Sequence, residues 1–166
     1  FLPLDPWNGP SATIGGIAAA NAQGPLRAVG TIRDWIIGMK VVEIDGRVSK
    51  AGGRVVKNVT GYDLQKLYTG SLGTLGIILD ASLKCLPQPR VERTLCLDVD
   101  IDQALARFAE WSPLPLALSA TCWYRNRMSV RMSGAESAIA AAERRIGGEV
   151  LPDAESFWSS VREQRH

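Results

Sequence analysis

The chain has 166 residues, 46% of them hydrophobic and 22% charged, the make-up of a globular protein of one medium domain or of one domain and part of another. A net charge of +2 is too small to argue for nucleic acid or an anionic membrane as partner. No apolar run reaches the ~20 residues of a membrane-spanning helix, and no secretory leader is visible.

The three cysteines, Cys85, Cys96 and Cys122, lack metal-ligand spacing and read as free, mostly buried thiols of a reducing compartment. The chain opens Phe1-Leu2-Pro3-Leu4-Asp5-Pro6, which reads like the middle of a protein and leads us to expect a fragment or a processed form. Pro87-Gln88-Pro89 is a plausible linker between a glycine-rich region, residues 1–88, and a more regular one, residues 91–166.

In the first region Ile17 to Ala22 predicts a short helix that Gly24-Pro25 would end. Thr31 is a good N-cap for a second helix, with Asp34 near its positive end. Met39 to Ile44 predicts a strand, Asp45-Gly46 a hairpin turn, and Arg47 to Lys50 the return strand. Ile77 to Leu86 predicts a longer strand with Ile77, Leu79, Ala81, Leu83 and Cys85 on one face.

The second region reads β-α-β-β-α. Leu95, Leu97 and Val99 alternate with polar neighbours. Asp100 and Gln103 resemble a capping box, and Ile101, Ala104, Leu105 and Phe108 follow at helical spacing. Leu116 to Tyr124 and Arg127 to Met132 predict two strands joined at Arg125-Asn126. Ser133 and Glu136 suggest a second capping box, before a helix with Ala135, Ala138, Ile139, Ala142 and Ile146 on one face and Gly147-Gly148 at its end. Val150-Leu151 would start a fourth strand. This is the order of a ferredoxin-like layer.

Three stretches bear on chemistry. Thr13-Ile14-Gly15-Gly16, followed by Asn21 and Gly24, puts two glycines at a helix start, where free N–H groups favour an anion. It has neither the G-x-G-x-x-G spacing of a dinucleotide fold nor the lysine of a P-loop, and glycine pairs at helix starts are more often just tight turns. Lys57-Asn58-Val59-Thr60-Gly61-Tyr62-Asp63-Leu64 is the second; its Asp63 would serve a ligand or merely cap a helix. Gly70-Ser71-Leu72-Gly73-Thr74-Leu75-Gly76-Ile77 is the third. Its glycines are too frequent for a helix interior and make a loop with open backbone groups.

Taken together, and with Ser82-Leu83-Lys84 and Leu86-Pro87 after them, these stretches resemble the second half of the FAD-binding domain of FAD-linked oxidases, the vanillyl-alcohol-oxidase or PCMH-type superfamily. Gly134-Ala135-Glu136-Ser137 and Phe157-Trp158-Ser159-Ser160-Val161-Arg162-Glu163-Gln164 narrow the resemblance to the E-subunit family of bacterial glycolate oxidases, over nearly the whole chain.

The resemblance implies an α+β protein. Residues 1–88 would be the second subdomain of a PCMH-type FAD-binding domain and residues 91–166 a partial ferredoxin-like cap. It implies FAD as cofactor, bound through Thr13, Ile14, Gly15, Gly16, Asn21, Gly24, Lys57, Asn58, Gly61, Tyr62, Gly73, Gly76 and Ile77. Gly15 and Gly16 would approach phosphate and ribose, and Gly76 and Ile77 the adenine. The pyrophosphate loop of the first subdomain is not in this chain, so the site would be incomplete and FAD binding weak or nil.

The implied activity is oxidation of a small 2-hydroxy acid to a 2-oxo acid. Partners would be a catalytic D subunit and an iron–sulfur F subunit, since the cysteines here lack cluster spacing. The location would be cytoplasmic, or peripheral at the inner membrane through the complex. Alternatives are another FAD-linked 2-hydroxy-acid or lactate dehydrogenase, or an assembly subunit that has lost flavin. No catalytic residue is singled out. His166 is terminal, and Tyr62, Tyr124 and Arg125 are no more than candidates for a carboxylate. Arg27, Arg33 and Lys40 read as solvated surface or as compensation for phosphate charge. Trp123 and Trp158 read as core or interface anchors.

Overall fold

The computed structural model describes residues 1–55 and 61–165. It divides into two compact units, Phe1–Pro87 and Gln88–His166. Each unit has its own core and sheet.

In the first unit a 3₁₀ turn, Gly9–Ser11, precedes helix α1, Ile14–Ala20. The Thr13 hydroxyl accepts from the Gly16 N–H at 3.1 Å, so the helix starts three residues before the apolar run suggests. Asn21 ends it in the left-handed region at φ 47°, with its N–H on the Ala18 carbonyl. Gly24-Pro25 is therefore not the stop; Pro25 opens a separate 3₁₀ turn, Pro25–Ala28.

Helix α2 is a single turn, Ile32–Trp35. The Asp34 carboxylate accepts from both the N–H and the hydroxyl of Thr31, at 2.8 and 2.9 Å. These two bonds, the backbone one foremost, hold its carboxyl below the usual carboxylate range. A carboxylate depressed in the folded state adds stability above its unfolded pKa, and that stability is lost as pH falls through the folded value. Asp34→Asn is expected to destabilise the protein at neutral pH. Urea unfolding should show the gap between variant and parent closing below about pH 4; a gap unchanged in acid would contradict this account.

Strands β1 (Ile36–Val42), β2 (Val48–Gly52) and β3 (Ile77–Leu83) form an antiparallel sheet in the order β2-β1-β3. The hairpin forms, but its turn is not the expected two-residue Asp45-Gly46: Glu43 faces Arg47, the loop is Ile44-Asp45-Gly46, and Gly46 alone takes a positive φ, 84°. Met39, Val41 and Ile36 face Ile17, Ala18, Ala22 and Ile32 in one core, with Ile78 and Leu83 against it.

The expected single face of β3 does not hold. Lys40 pairs with Asp80, but Val41 pairs with Ile78, so Leu79 is an extra residue in the ladder. The bulge turns Ile78 and Ala81 to the same side. Ile77 and Leu79 are left in solvent, 69% and 55% exposed. A short helix, α3 (Leu64–Tyr68), precedes the glycine loop.

The second unit runs β4 (Val91–Asp98), α4 (Ile101–Trp111), β5 (Leu118–Tyr124), β6 (Arg127–Gly134), α5 (Glu136–Ile146), β7 (Glu149–Val150) and α6 (Ala154–Arg162). Its sheet order is β5-β6-β4-β7, all pairs antiparallel, the ferredoxin-like topology. Leu95, Met128, Val130 and Met132 face Ala104 and Trp111 of α4 and Ile139, Ala142 and Ile146 of α5. Ile101 and Leu105, expected on the inner face of α4, are exposed, and Phe108 and Trp111 do the packing.

The Asp100–Gln103 capping box is present, with bonds of 2.8 and 3.1 Å. The second expected box is not. Strand β6 continues through Ser133, whose hydroxyl bonds Glu92 and Ser119 at 2.9 Å, and Ala135 is the N-cap of α5. Pairing to Glu92 of β4 outcompetes the local cap.

The other face of this sheet is polar and lies under α6. Trp158 is 4% exposed, and its indole N–H donates to the Thr94 hydroxyl at 2.8 Å. The Arg131 guanidinium sits 4.9 Å from the Trp158 ring centroid, and its Nε donates to Ser119 at 3.2 Å.

Candidate functional site

The structure joins two of the three glycine-bearing stretches. Gly70 and Leu72 donate their N–H groups to the Ala18 and Ala19 carbonyls at 2.9 and 2.8 Å. The loop from Gly70 is thus tied to the C-terminal end of α1, whose N-terminal end carries Thr13, Ile14, Gly15 and Gly16. Leu72 takes φ 54° to make this connection. Among the described residues of the middle stretch, 61–64, no bond ties it to α1 in the same way. Gly61 and Tyr62 project into solvent, Tyr62 being 91% exposed. Lys57 and Asn58 lie outside the described residues.

The glycines expected to serve a ligand sort into two kinds. A Cβ at Gly24 would collide with the Asp5 carbonyl, and one at Gly76 would lie 2.5 Å from a Val41 methyl. Folding alone accounts for these two. Gly61 and Gly73 have open space around a hypothetical Cβ, but φ values of 81° and 77° favour glycine there. Gly15 has no such reason. It sits in a helix, with no neighbour among the described residues within 4 Å of a Cβ position. A helical glycine there costs stability relative to alanine and brings the fold nothing in return.

Asn21 supplies a second unexplained group. Its backbone ends α1, yet its side-chain Oδ1 is buried without a hydrogen-bond partner. Buried acceptors are nearly always satisfied, so an orphan at this end of α1 fits a ligand donor. Ile14 of α1 and Leu72, Leu75 and Ile77 of the third stretch leave apolar side chains in solvent, 39%, 74%, 46% and 69% exposed. Open backbone, an orphaned acceptor and apolar contact are a donor set that suits a nucleotide cofactor.

Other candidates resolve differently. Asp63 makes no capping bond; its carboxylate accepts from Gln65 Nε2 at 3.1 Å and pairs with Lys66 at 3.6 Å. Lys40 pairs with Asp80 at 2.9 Å, while Arg27 and Arg33 are exposed. Arg125 lies over the Tyr124 ring, 5.0 Å from its centroid. Trp123 anchors to the Val99 carbonyl at 2.9 Å, and Trp158 is core. The cysteines are free, but Cys85 is exposed rather than buried. Burial pushes the Cys122 thiol upward, away from reactivity. His166 lies outside the described residues. Among the described residues no cluster of three His, Cys, Asp or Glu side chains is placed to hold a metal, and no helix is long and apolar enough to cross a membrane.

Sequence reasoning missed a cleft of about 250 Å³ on the open face of the first sheet, among Lys40, Lys50, Arg54 and Asp80. The hairpin signal alone would not have found it: a two-residue turn at Asp45-Gly46 sets Val41 opposite Lys50, whereas the observed loop Ile44-Asp45-Gly46 shifts the register and sets Lys40 there.

No protein-family model matches the chain. The chain is 38% identical over 167 residues to glycolate oxidase subunit GlcE of Escherichia coli K12, covering 99% of this chain and 47% of that protein. It is 43% identical over 107 residues to glycolate oxidase subunit GlcD of Bacillus subtilis, covering 63% of this chain and 23% of that one. A mitochondrial D-lactate dehydrogenase of Arabidopsis thaliana matches at 45% over 91 residues, 54% of this chain and 16% of that protein. Among solved structures, an alkyldihydroxyacetonephosphate synthase superposes with TM-score 0.72 at 15% identity, over 99% of this chain and 41% of that one. The chain therefore spans about half the length of the glycolate oxidase subunit it matches. The resemblance read from the glycine stretches holds, as does the α+β class.

Proposed function

We propose that this chain is the second half of the FAD-binding domain, with part of the cap, of a flavoprotein subunit that oxidises a 2-hydroxy acid, with glycolate as substrate. Similarity to a glycolate oxidase subunit along 99% of the chain carries the reading. Gly15, a helical glycine that packing does not require, supports it from the chain itself.

In this reading the N–H groups of Ile14 and Gly15 face a phosphate, Gly16 being already committed to Thr13. Asn21 Oδ1 accepts a hydrogen bond from the cofactor. Gly73, Gly76 and Ile77 line the nucleotide with backbone and apolar surface, and Thr13, Gly24, Gly61 and Tyr62, with Lys57 and Asn58, complete the set. The bound FAD would supply the electron chemistry, taking hydride from the substrate. A glycolate oxidase D-type flavoprotein and an iron–sulfur subunit would be its partners, in the cytoplasm or at the inner membrane surface.

The test is purification of the intact protein, identification of any flavin released on denaturation, and assay of glycolate against D-lactate with an artificial electron acceptor. FAD with preference for glycolate is expected. Preference for D-lactate would favour the dehydrogenase alternative, for which the Arabidopsis similarity speaks. A flavin-free protein would favour an assembly role.

Gly15→Ala separates ligand from fold. It is expected to stabilise the chain by about 0.5–1 kcal/mol, because alanine is the better helix residue. The same change should reduce the flavin retained by the intact protein. Unchanged flavin content together with the stability gain would remove Gly15 from the site.

A further inference from the structure

Lys40, Lys50 and Asp80 lie in one row across the sheet. Lys40 is the cross-strand partner of Lys50 on one side and of Asp80 on the other. All three point away from the core that Met39 and Val41 enter. The neighbouring row is Ser82, Gly38 and Gly52, so two adjacent positions carry no side chain. The backbone of Gly53 lies close over Gly38, and these rows together with Arg54 line a trough of about 250 Å³.

The charges do not balance. Asp80 pairs with Lys40 at 2.9 Å, and among the described residues neither Lys50 nor Arg54 has a carboxylate within ion-pair distance. Both are close enough to help hold the Asp80 carboxyl low, after the larger effect of Lys40 itself. Like charges directly opposite each other in a sheet are destabilising. Three cations against one carboxylate leave two positive charges uncompensated.

We propose that this trough binds a phosphate-class dianion, held by Lys50 and Arg54 at its rim and Lys40 on its wall. A dianion cancels the excess charge and relieves the Lys40–Lys50 opposition. An arginine fork takes two phosphate oxygens at once, and the Ser82 hydroxyl can donate to a third. The volume lies below that of pockets for drug-sized ligands and suits a phosphate group or its ester. None of the residues given to the flavin under the proposed function lines the trough, and Lys40, weighed above as compensation for phosphate charge, is not among them, so this site goes beyond the proposed function.

The ligand is sought by calorimetric titration of the protein with inorganic phosphate, pyrophosphate and ADP, at constant ionic strength set with chloride. Saturable binding of at least one of them is expected, weakened tenfold or more in K50Q/R54Q, whose side chains are exposed and outside both cores. Asp80→Asn should tighten binding several-fold, because it releases Lys40 and raises the net charge; a merely structural role for Asp80 would not do so. ADP competing with pyrophosphate would identify the source as a nucleotide phosphate, and binding of the inorganic anions alone a free one. Absence of saturable binding, indifference to K50Q/R54Q, or weakening by Asp80→Asn would each overturn the proposal. Failure here leaves the flavin reading standing, since that is measured by flavin release in Gly15→Ala.

Discussion

Trp158→Ala is expected to lower the stability of the second unit by about 3–5 kcal/mol, the usual cost of truncating a buried aromatic. Trp158 is the buried residue of α6. It covers a sheet face made of Thr94, Ser119 and Arg131 rather than of hydrocarbon. Its loss removes the ring packed against Arg131 and leaves the Thr94 hydroxyl without its donor. Such a polar layer is costly once half-satisfied. Trp158→Phe separates the two contributions. It keeps a ring over Arg131 but breaks the 2.8 Å bond to Thr94, for an expected loss of about 1–2 kcal/mol. Denaturant unfolding of the three proteins checks the order; equal losses for Ala and Phe would mean that the hydrogen bond dominates and the ring contributes little.

Gly24→Ala is expected to cost about 1–3 kcal/mol through overpacking, although the sequence resemblance assigns Gly24 to the cofactor. Its Cβ would collide with the Asp5 carbonyl and stand 2.8 Å from Asp5 Oδ1. That carboxylate accepts from the Leu26 N–H with both oxygens at 3.0 Å, which fixes the opening segment against the turn at Pro25. Neither backbone can retreat without losing this clamp. Thermal or urea unfolding of the variant gives the answer. A variant as stable as the parent but poorer in flavin would return Gly24 to ligand binding alone. Gly15→Ala and Gly24→Ala thus make a pair with opposite expected signs in stability, although the sequence presents the two glycines alike.

Much of the architecture was legible in the chain. The alternation of Met128, Val130 and Met132 predicted a half-buried strand, and all three are fully buried in β6. Asp100 and Gln103 predicted a helix start, and both capping bonds are made. Asp45-Gly46 predicted a hairpin, and β1 and β2 do pair, though through the loop Ile44-Asp45-Gly46 rather than a two-residue turn. These signals are local: a turn type, a cap or a period is written in a few consecutive side chains. The resemblance carried by the glycine stretches was likewise visible, since it rests on residue order alone.

What the tertiary structure decided is of another kind. Ile77 and Leu79 looked like core residues and are exposed, because a bulge at Leu79 re-phases β3 against β1. Ser133 looked like a cap and instead bonds Glu92 across the sheet. Which glycines are needed by packing and which are left open depends on what passes over them: Asp5 over Gly24, Val41 beside Gly76, no described residue over Gly15. The charged row of Asp80, Lys40 and Lys50 assembles when β3, remote in sequence, pairs with the β1–β2 hairpin. Short-range stereochemistry determines where elements begin, end and turn. Register, close backbone approach and uncompensated charge arise only when distant segments meet, so no run of adjacent residues contains them.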